Sequence, residues 1–240
     1  MSFLCLVTFQ PKKIWCEFLS NFTKYKIVIV IDDNTFDTTE FINTYENITF
    51  VQIDDEKCKL TGYVDSSFMT LEKLISGWDK ALYYFGIENT NYDFVWFIED
   101  DVFFHDENTL LNIDSKYIDD DLLSNQFYEK SDTNVYYWHW YRLNINFDLP
   151  YYKTMVCAVR FSKNMMKSMN DYAVAHNTLF FIEAFFPTIC VKSNLKYSNP
   201  SEFFEIHWRH DFEKENINNV NLYHPVKNLE NHLLFRSNLN

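Results

Sequence analysis

Phe94-Val95-Trp96-Phe97-Ile98-Glu99-Asp100-Asp101-Val102-Phe103-Phe104 is an apolar run that drives into three consecutive acids and then turns apolar again. It is short, aromatic and β-branched, with polar segments on both sides, so it reads as a buried strand. Three carboxylates at the end of a buried strand repel one another and lose hydration. A fold tolerates this when a cation or hydrogen-bond donors share the site. A hard divalent ion such as Mg²⁺ or Mn²⁺ suits those oxygens and can also hold phosphates. The plainer alternative is a strand that ends in a solvated acidic turn.

The same pattern repeats towards the N-terminus. Residues 3–9, 26–31 and 48–53 read as strands one to three. Residues 12–22, with Ile14, Phe18 and Phe22 on one face, and residues 38–45 read as helices. A polar connection follows through Gly62. Residues 71–85 then place Leu71, Leu74, Ile75, Trp78, Leu82 and Phe85 on one helical face. This alternation implies an α/β fold with a mostly parallel sheet flanked by helices. In such sheets ligands sit beyond the carboxyl ends of the strands. Three successive strand ends carry Asp32-Asp33, Asp54-Asp55 and Asp100-Asp101, and their convergence says more than any one pair.

The second half is less regular. Residues 135–140 and 154–161 read as strands, and Ser162 opens a helix through Tyr172. Residues 178–191 are apolar around Glu183. Asp119-Asp120-Asp121 reads as a solvated helix start or loop. No Pro/Gly/Ser-rich linker and no internal repeat divides the chain, so one domain over 1–240 is expected.

With 47% hydrophobic residues the chain can bury a large core, and 24 Phe, 16 Tyr and 6 Trp make that core aromatic. Only 3 Gly are present, which excludes a glycine-rich phosphate loop. A net charge of −13 argues against a general nucleic-acid binder and against a polybasic membrane anchor. Cys5, Cys16, Cys58, Cys157 and Cys190 are odd in number and lack a Cys-x-x-Cys pair, as reduced core thiols do. Residues 1–10 lack the basic start and small-residue cleavage site of a signal peptide. No apolar run approaches ~18 residues, so no membrane span is expected and the expected compartment is the cytoplasm.

Trp96-Phe97-Ile98-Glu99-Asp100-Asp101-Val102 resembles the Asp-x-Asp motif of GT-A-fold glycosyltransferases, in its Glu-Asp-Asp form. The order of strands and helices matches as well. Tyr223-His224-Pro225-Val226-Lys227 resembles the late histidine segment that completes the metal site in many members. The resemblance implies a GT-A-like (Rossmann-like) fold, Mn²⁺ or Mg²⁺, a nucleotide-diphosphate-sugar donor such as a UDP-sugar, and a glycan or other hydroxyl acceptor. About 1–104 would serve the nucleotide and about 105–240 the acceptor.

Residue by residue, the resemblance implies Asp101 as a direct metal ligand, with Glu99 and Asp100 on ribose hydroxyls or metal-bound waters. His224 would be a ligand from the other side, with Lys227 near a phosphate; a surface-loop histidine is the plainer alternative. Asp32 or Asp33 would hydrogen-bond the base or ribose, unless both belong to an Asx-type turn. Thr8 and Phe9 stand where a base pocket would be, although Phe9 also suits a core position. Lys80 would reach the donor phosphates, although a lone helical lysine is more often solvated.

Glu183 is the single acid in the apolar stretch 179–188. Such a carboxyl needs a raised pKa or a specific partner. It is the candidate general base of an inverting transfer, against the alternative of a helix that exposes its one polar residue. Trp138, Trp140, Tyr141 and Trp208 are candidate sugar platforms or, by default, core. A sugar-nucleotidyltransferase shares the sheet and the acids but usually carries a glycine-rich N-terminal loop, which residues 9–13 are not. A carbohydrate-binding or scaffold protein that kept the fold and lost activity is the alternative from another class.

Overall fold

A computed structural model of the chain describes residues 1–133 and 138–237. The β-branched and aromatic runs form β1 (Ser2–Thr8), β2 (Lys26–Ile31), β3 (Ile48–Gln52) and β4 (Phe94–Glu99). They pair in parallel in the order β3-β2-β1-β4. The sheet continues through three strands of the second half: β5 (Leu122–Leu123), β8 (Ala158–Ser162) and β9 (Tyr197–Ser198). Its order is β3-β2-β1-β4-β8-β5-β9, with β8 antiparallel to both neighbours. A separate pair joins β6 (Tyr128–Lys130) to β7 (Tyr151–Lys153).

Strand periodicity builds the two layers, because alternate side chains leave opposite faces. Phe3, Cys5 and Val7 of β1 and Val95 and Phe97 of β4 pack on Trp78, Ala81 and Leu82 of α4 (Gly77–Tyr83). The same layer holds α6 (Lys163–His176) and α7 (Ile182–Lys192). Leu4, Leu6, Trp96 and Ile98 face the other way, onto α1 (Lys13–Leu19) and α5 (Glu107–Lys116). Between β2 and β3 runs the short α2 (Thr39–Thr44).

Several expected elements differ. The polar connection before Gly62 contains α3 (Asp55–Thr61), which Asp54 caps through the Glu56 N–H. Gly62 ends it at φ +80°, a left-handed position that glycine adopts without cost. The helix expected from Leu71 starts only at Gly77, where Ser76 and Asp79 form a capping box. Leu71 and Leu74 are exposed, and Tyr84–Glu88 finish the helix as a π turn. Residues 135–137 of the expected aromatic strand lie outside the described residues, and residues 138–140 form no strand: Trp140–Arg142 is a 3₁₀ turn. The Asp119-Asp120-Asp121 triplet is not simply solvated. Asp120 is buried, and Asp121 accepts from the Ser162 hydroxyl at 2.5 Å and the Lys196 N–H at 3.1 Å, joining β8 to β9.

The late segment returns to the end of β4. Phe103 and Tyr223 exchange two backbone hydrogen bonds of 2.8 Å, and the Val226 N–H donates to the Asp101 carbonyl at 2.7 Å. Behind them α8 (Leu229–Arg236) sets Phe235 edge-on to Phe103 at 5.5 Å. This closure delivers His224 to the acidic strand end. No helix among the described residues is long and apolar enough to cross a membrane.

Candidate active site

Two cavities meet at the carboxyl end of the sheet. The first, about 290 Å³, lies over the ends of β1, β2 and β4, with Thr8, Phe9, Asp32 and Asp100 in its wall. Phe9 is 65% exposed, which removes the core reading and leaves a ring face open to a ligand. The Thr8 hydroxyl donates to Asp100 Oδ2 at 2.6 Å, and the Trp15 indole N–H donates to the Asp100 carbonyl at 2.8 Å. Burial raises the Asp100 pKa, Thr8 lowers it, and the Asp101 charge raises it further. At Gly77 a Cβ would lie 3.0 Å from Val7 Cγ1 and 3.4 Å from Asp32 Cβ, so α4 approaches the strand ends where a side chain would crowd.

The second cavity, about 440 Å³, shares Trp78, Glu99 and Asp101 with the first. Glu183, Cys157, His224 and Lys227 also line it. The Trp78 indole N–H donates to Glu99 Oε1 at 2.6 Å. Burial pushes the Glu99 carboxyl up to about 7, the Trp78 bond opposes this, and the Asp101 charge adds to it. His224 places Nδ1 2.6 Å from the His207 carbonyl and Nε2 3.3 Å from Asp101 Oδ1. A carbonyl only accepts, so Nδ1 carries the proton and Nε2 points its lone pair at carboxylates. That contact is favourable only if a proton or a metal ion stands between the two. Burial alone would lower the His224 pKa, but the Asp101 hydrogen bond and charge outweigh it and raise the value.

Ligand atoms of Glu99, Cys157 and His224 lie within 4.8 Å of one another. That group offers one carboxylate, an imidazole and a thiol, and Asp101 stands beside its His224 without belonging to it. The His207 carbonyl orients the imidazole, as an outer partner does for a metal-binding histidine. The carboxylates suit Mg²⁺ or Mn²⁺ and the imidazole a transition ion, whereas burial pushes the Cys157 thiol up, away from the thiolate that a metal takes.

Glu183 sits in the first turn of α7, buried, with its carboxyl pushed up to about 7. Burial is the main cause; Lys153 opposes it and Glu99 adds to it. The Thr154 N–H donates to the Glu183 carbonyl at 2.8 Å and fixes that turn against the chain leaving β7.

Other expected residues go elsewhere. Lys80 is buried, so it is not solvated, and it lies outside the walls of both cavities. Its ammonium is 3.1 Å from Asp32 Oδ1 and 3.1 Å from Asp55 Oδ1, and it also bonds the Asp32 carbonyl. Asp33 takes the Asx-turn alternative: its carboxylate accepts from the Thr35 N–H at 2.8 Å and from Gln10 Nε2 at 2.7 Å. The three acidic pairs therefore divide. Asp100, Asp101 and Asp32 line the cavities, Asp32 also shares Lys80 with Asp55, Asp33 closes an Asx turn, and Asp54 caps α3. Trp78 and Cys157 belong to the site without having been singled out. Trp78 had read only as the apolar face of a helix, and a lone cysteine carries no spacing signal.

No protein-family model matches the sequence, and no curated protein matches it by sequence. Among solved structures the chain is similar to the galactosyltransferase LgtC in complex with donor and acceptor sugar analogues. The TM-score is 0.52 at 13% identity, over 100% of this chain and 96% of that one. The fold is GT-A. An active-site mutant of LgtC gives a TM-score of 0.50 at 14% identity over the same shares. A weaker likeness, TM-score 0.46 at 10% identity, is to a 4-diphosphocytidyl-2C-methyl-D-erythritol synthase from Anaerococcus prevotii, over 98% of this chain and 95% of that one.

Proposed function

We propose that this GT-A chain is a metal-dependent glycosyltransferase. It moves a sugar from a nucleotide-diphosphate donor, with a UDP-sugar as the first candidate, to a hydroxyl of a carbohydrate acceptor. The observation that carries this reading is the meeting of two cavities at Glu99 and Asp101, one over the strand ends and one holding Glu183. The similar LgtC binds both a donor and an acceptor sugar analogue, which supports the same division here. About 1–104 holds the nucleotide and about 105–240 the acceptor. Five unpaired buried thiols suit a reducing cytoplasm.

In this reading Phe9 stacks on the base, and Thr8, Asp32 and Asp100 orient the ribose. Asp101, Glu99 and His224 would hold the Mn²⁺ or Mg²⁺, with the Cys157 thiol beside them, and the ion would supply neutralisation of charge on the leaving diphosphate. Lys227 stands by that diphosphate from the acceptor side. Glu183 takes the proton from the acceptor hydroxyl, with the product inverted at the anomeric carbon.

The test is a panel of nucleotide sugars incubated with Mn²⁺ and followed by NMR of the anomeric proton. One donor should be consumed only with metal and give an inverted product. Glu183→Gln should slow transfer by about 10²–10⁴-fold while nucleotide affinity stays near wild type. Consumption of no donor would leave the carbohydrate-binding alternative standing.

A further inference from the structure

A third cavity, about 360 Å³, opens beside the one that holds Glu183. Met155 and Trp208 line both, so the two are continuous. Its wall carries Tyr128, Phe204 and Trp208, which are 38%, 54% and 70% exposed. Most rings of this aromatic chain pack on other rings; Phe127 and Tyr197, close by in sequence to Tyr128 and Phe204, stack at 4.4 Å. Phe204 and Trp208 have no ring neighbour among the described residues. Phe204 and Trp208, open on one groove, mark a binding surface, while the Lys153 ammonium lies 5.5 Å over the Tyr128 ring.

Asn125, Gln126 and His207 line the same groove. Open ring faces beside amides and an imidazole match a sugar, whose C–H face packs on a ring while its hydroxyls bond at the edge. A purely apolar partner would strip water from the exposed Gln126 amide without replacing its hydrogen bonds. The floor is fixed. Asn125 Nδ2 donates to the Ile206 carbonyl at 2.9 Å, and the Thr154 hydroxyl and Asn199 Nδ2 donate to the Asn125 carbonyl at 2.7 and 2.9 Å. Trp208 follows His207, whose carbonyl orients His224. The backbone at His207 is thus tied to His224, and Trp208 leaves it one residue on.

We infer that this groove binds the sugar next to the reacting one, so that the acceptor is a carbohydrate chain of at least two residues. The word acceptor rests on the transferase reading; the groove itself does not. The test is capture of fluorescent protein on an array printed with mono- to tetrasaccharides of glucose, galactose, mannose and N-acetylglucosamine. Wild type and Trp208→Phe should be captured by oligosaccharides and not by single sugars. Trp208→Ala and Phe204→Ala should lose at least about tenfold of that signal with unchanged melting temperature. Equal capture by single sugars, undiminished capture of both alanine variants, or no captured glycan would overturn the inference. Donor consumption by wild type with Mn²⁺ is read in parallel. Capture without consumption removes the transferase and keeps the groove; consumption without capture does the reverse.

Discussion

At the scale of single residues the proposed reading gives the chemistry to Glu183 and His224, whose pKa values are both raised. The Glu183 carboxyl has an ordinary value of 4.5 and is pushed up to about 7 by burial. Below 4.5 it is protonated in both folded and unfolded chains. Between the two values only the unfolded chain ionises, so stability falls as pH rises and the full loss is reached above about 7. The loss is on the order of 3 kcal/mol. Urea unfolding of wild type and Glu183→Gln at about pH 5 and about pH 8 should show wild type losing that much relative to the variant. A constant difference would mean that the carboxyl is not desolvated. As a base Glu183 must be ionised, so transfer should rise through about pH 7. His224 must be unprotonated at Nε2 to bind a metal, and Asp101 holds its pKa up. Mn²⁺ affinity should therefore fall as pH drops, and His224→Ala should weaken it without unfolding the chain; calorimetry across pH checks both.

At the scale of elements, β8 is tied to α5 by a buried cation. Arg160 is fully buried and donates to Asp114 Oδ1 at 3.0 Å and to the Tyr117 and Asp120 carbonyls at 2.6 and 2.9 Å. Asp114 also accepts from the Tyr25 hydroxyl at 2.6 Å and the Trp96 indole at 3.1 Å. Removing one partner leaves the other desolvated. Arg160→Met should cost about 3–5 kcal/mol in urea unfolding; a loss under about 1 kcal/mol would show a surface-like pair. The parallel strands were legible because each is an unbroken apolar run with turn residues after it. The start of α4 was misplaced because Leu71 and Leu74 fit its helical period while lying outside the helix. Ser76 and Asp79 carried the true start as a capping signal. The two-residue strands β5 and β9 have too few residues for any period; β5 pairs on the edge of β8, and β9 on the edge of β5.

At the scale of the whole molecule, the site exists because a parallel sheet gathers strand ends and a distant segment folds back over them. The acidic strand end could be read from its sequence, since three carboxylates after a buried strand need a partner. The Asp101–His224 contact could not, because 122 residues of chain lie between them and the Phe103–Tyr223 and Asp101–Val226 hydrogen bonds, with the packing of Phe235 on Phe103, close that gap. In the proposed reading a diphosphate approaches a chain of net charge −13, and a bound cation would offset that charge. The most direct measurement is calorimetry of UDP binding with Mn²⁺ and with chelator, on wild type and Asp101→Ala. Mn²⁺ should strengthen binding to wild type by at least about tenfold and make no difference to Asp101→Ala. Equal affinity for wild type with and without metal would contradict the account.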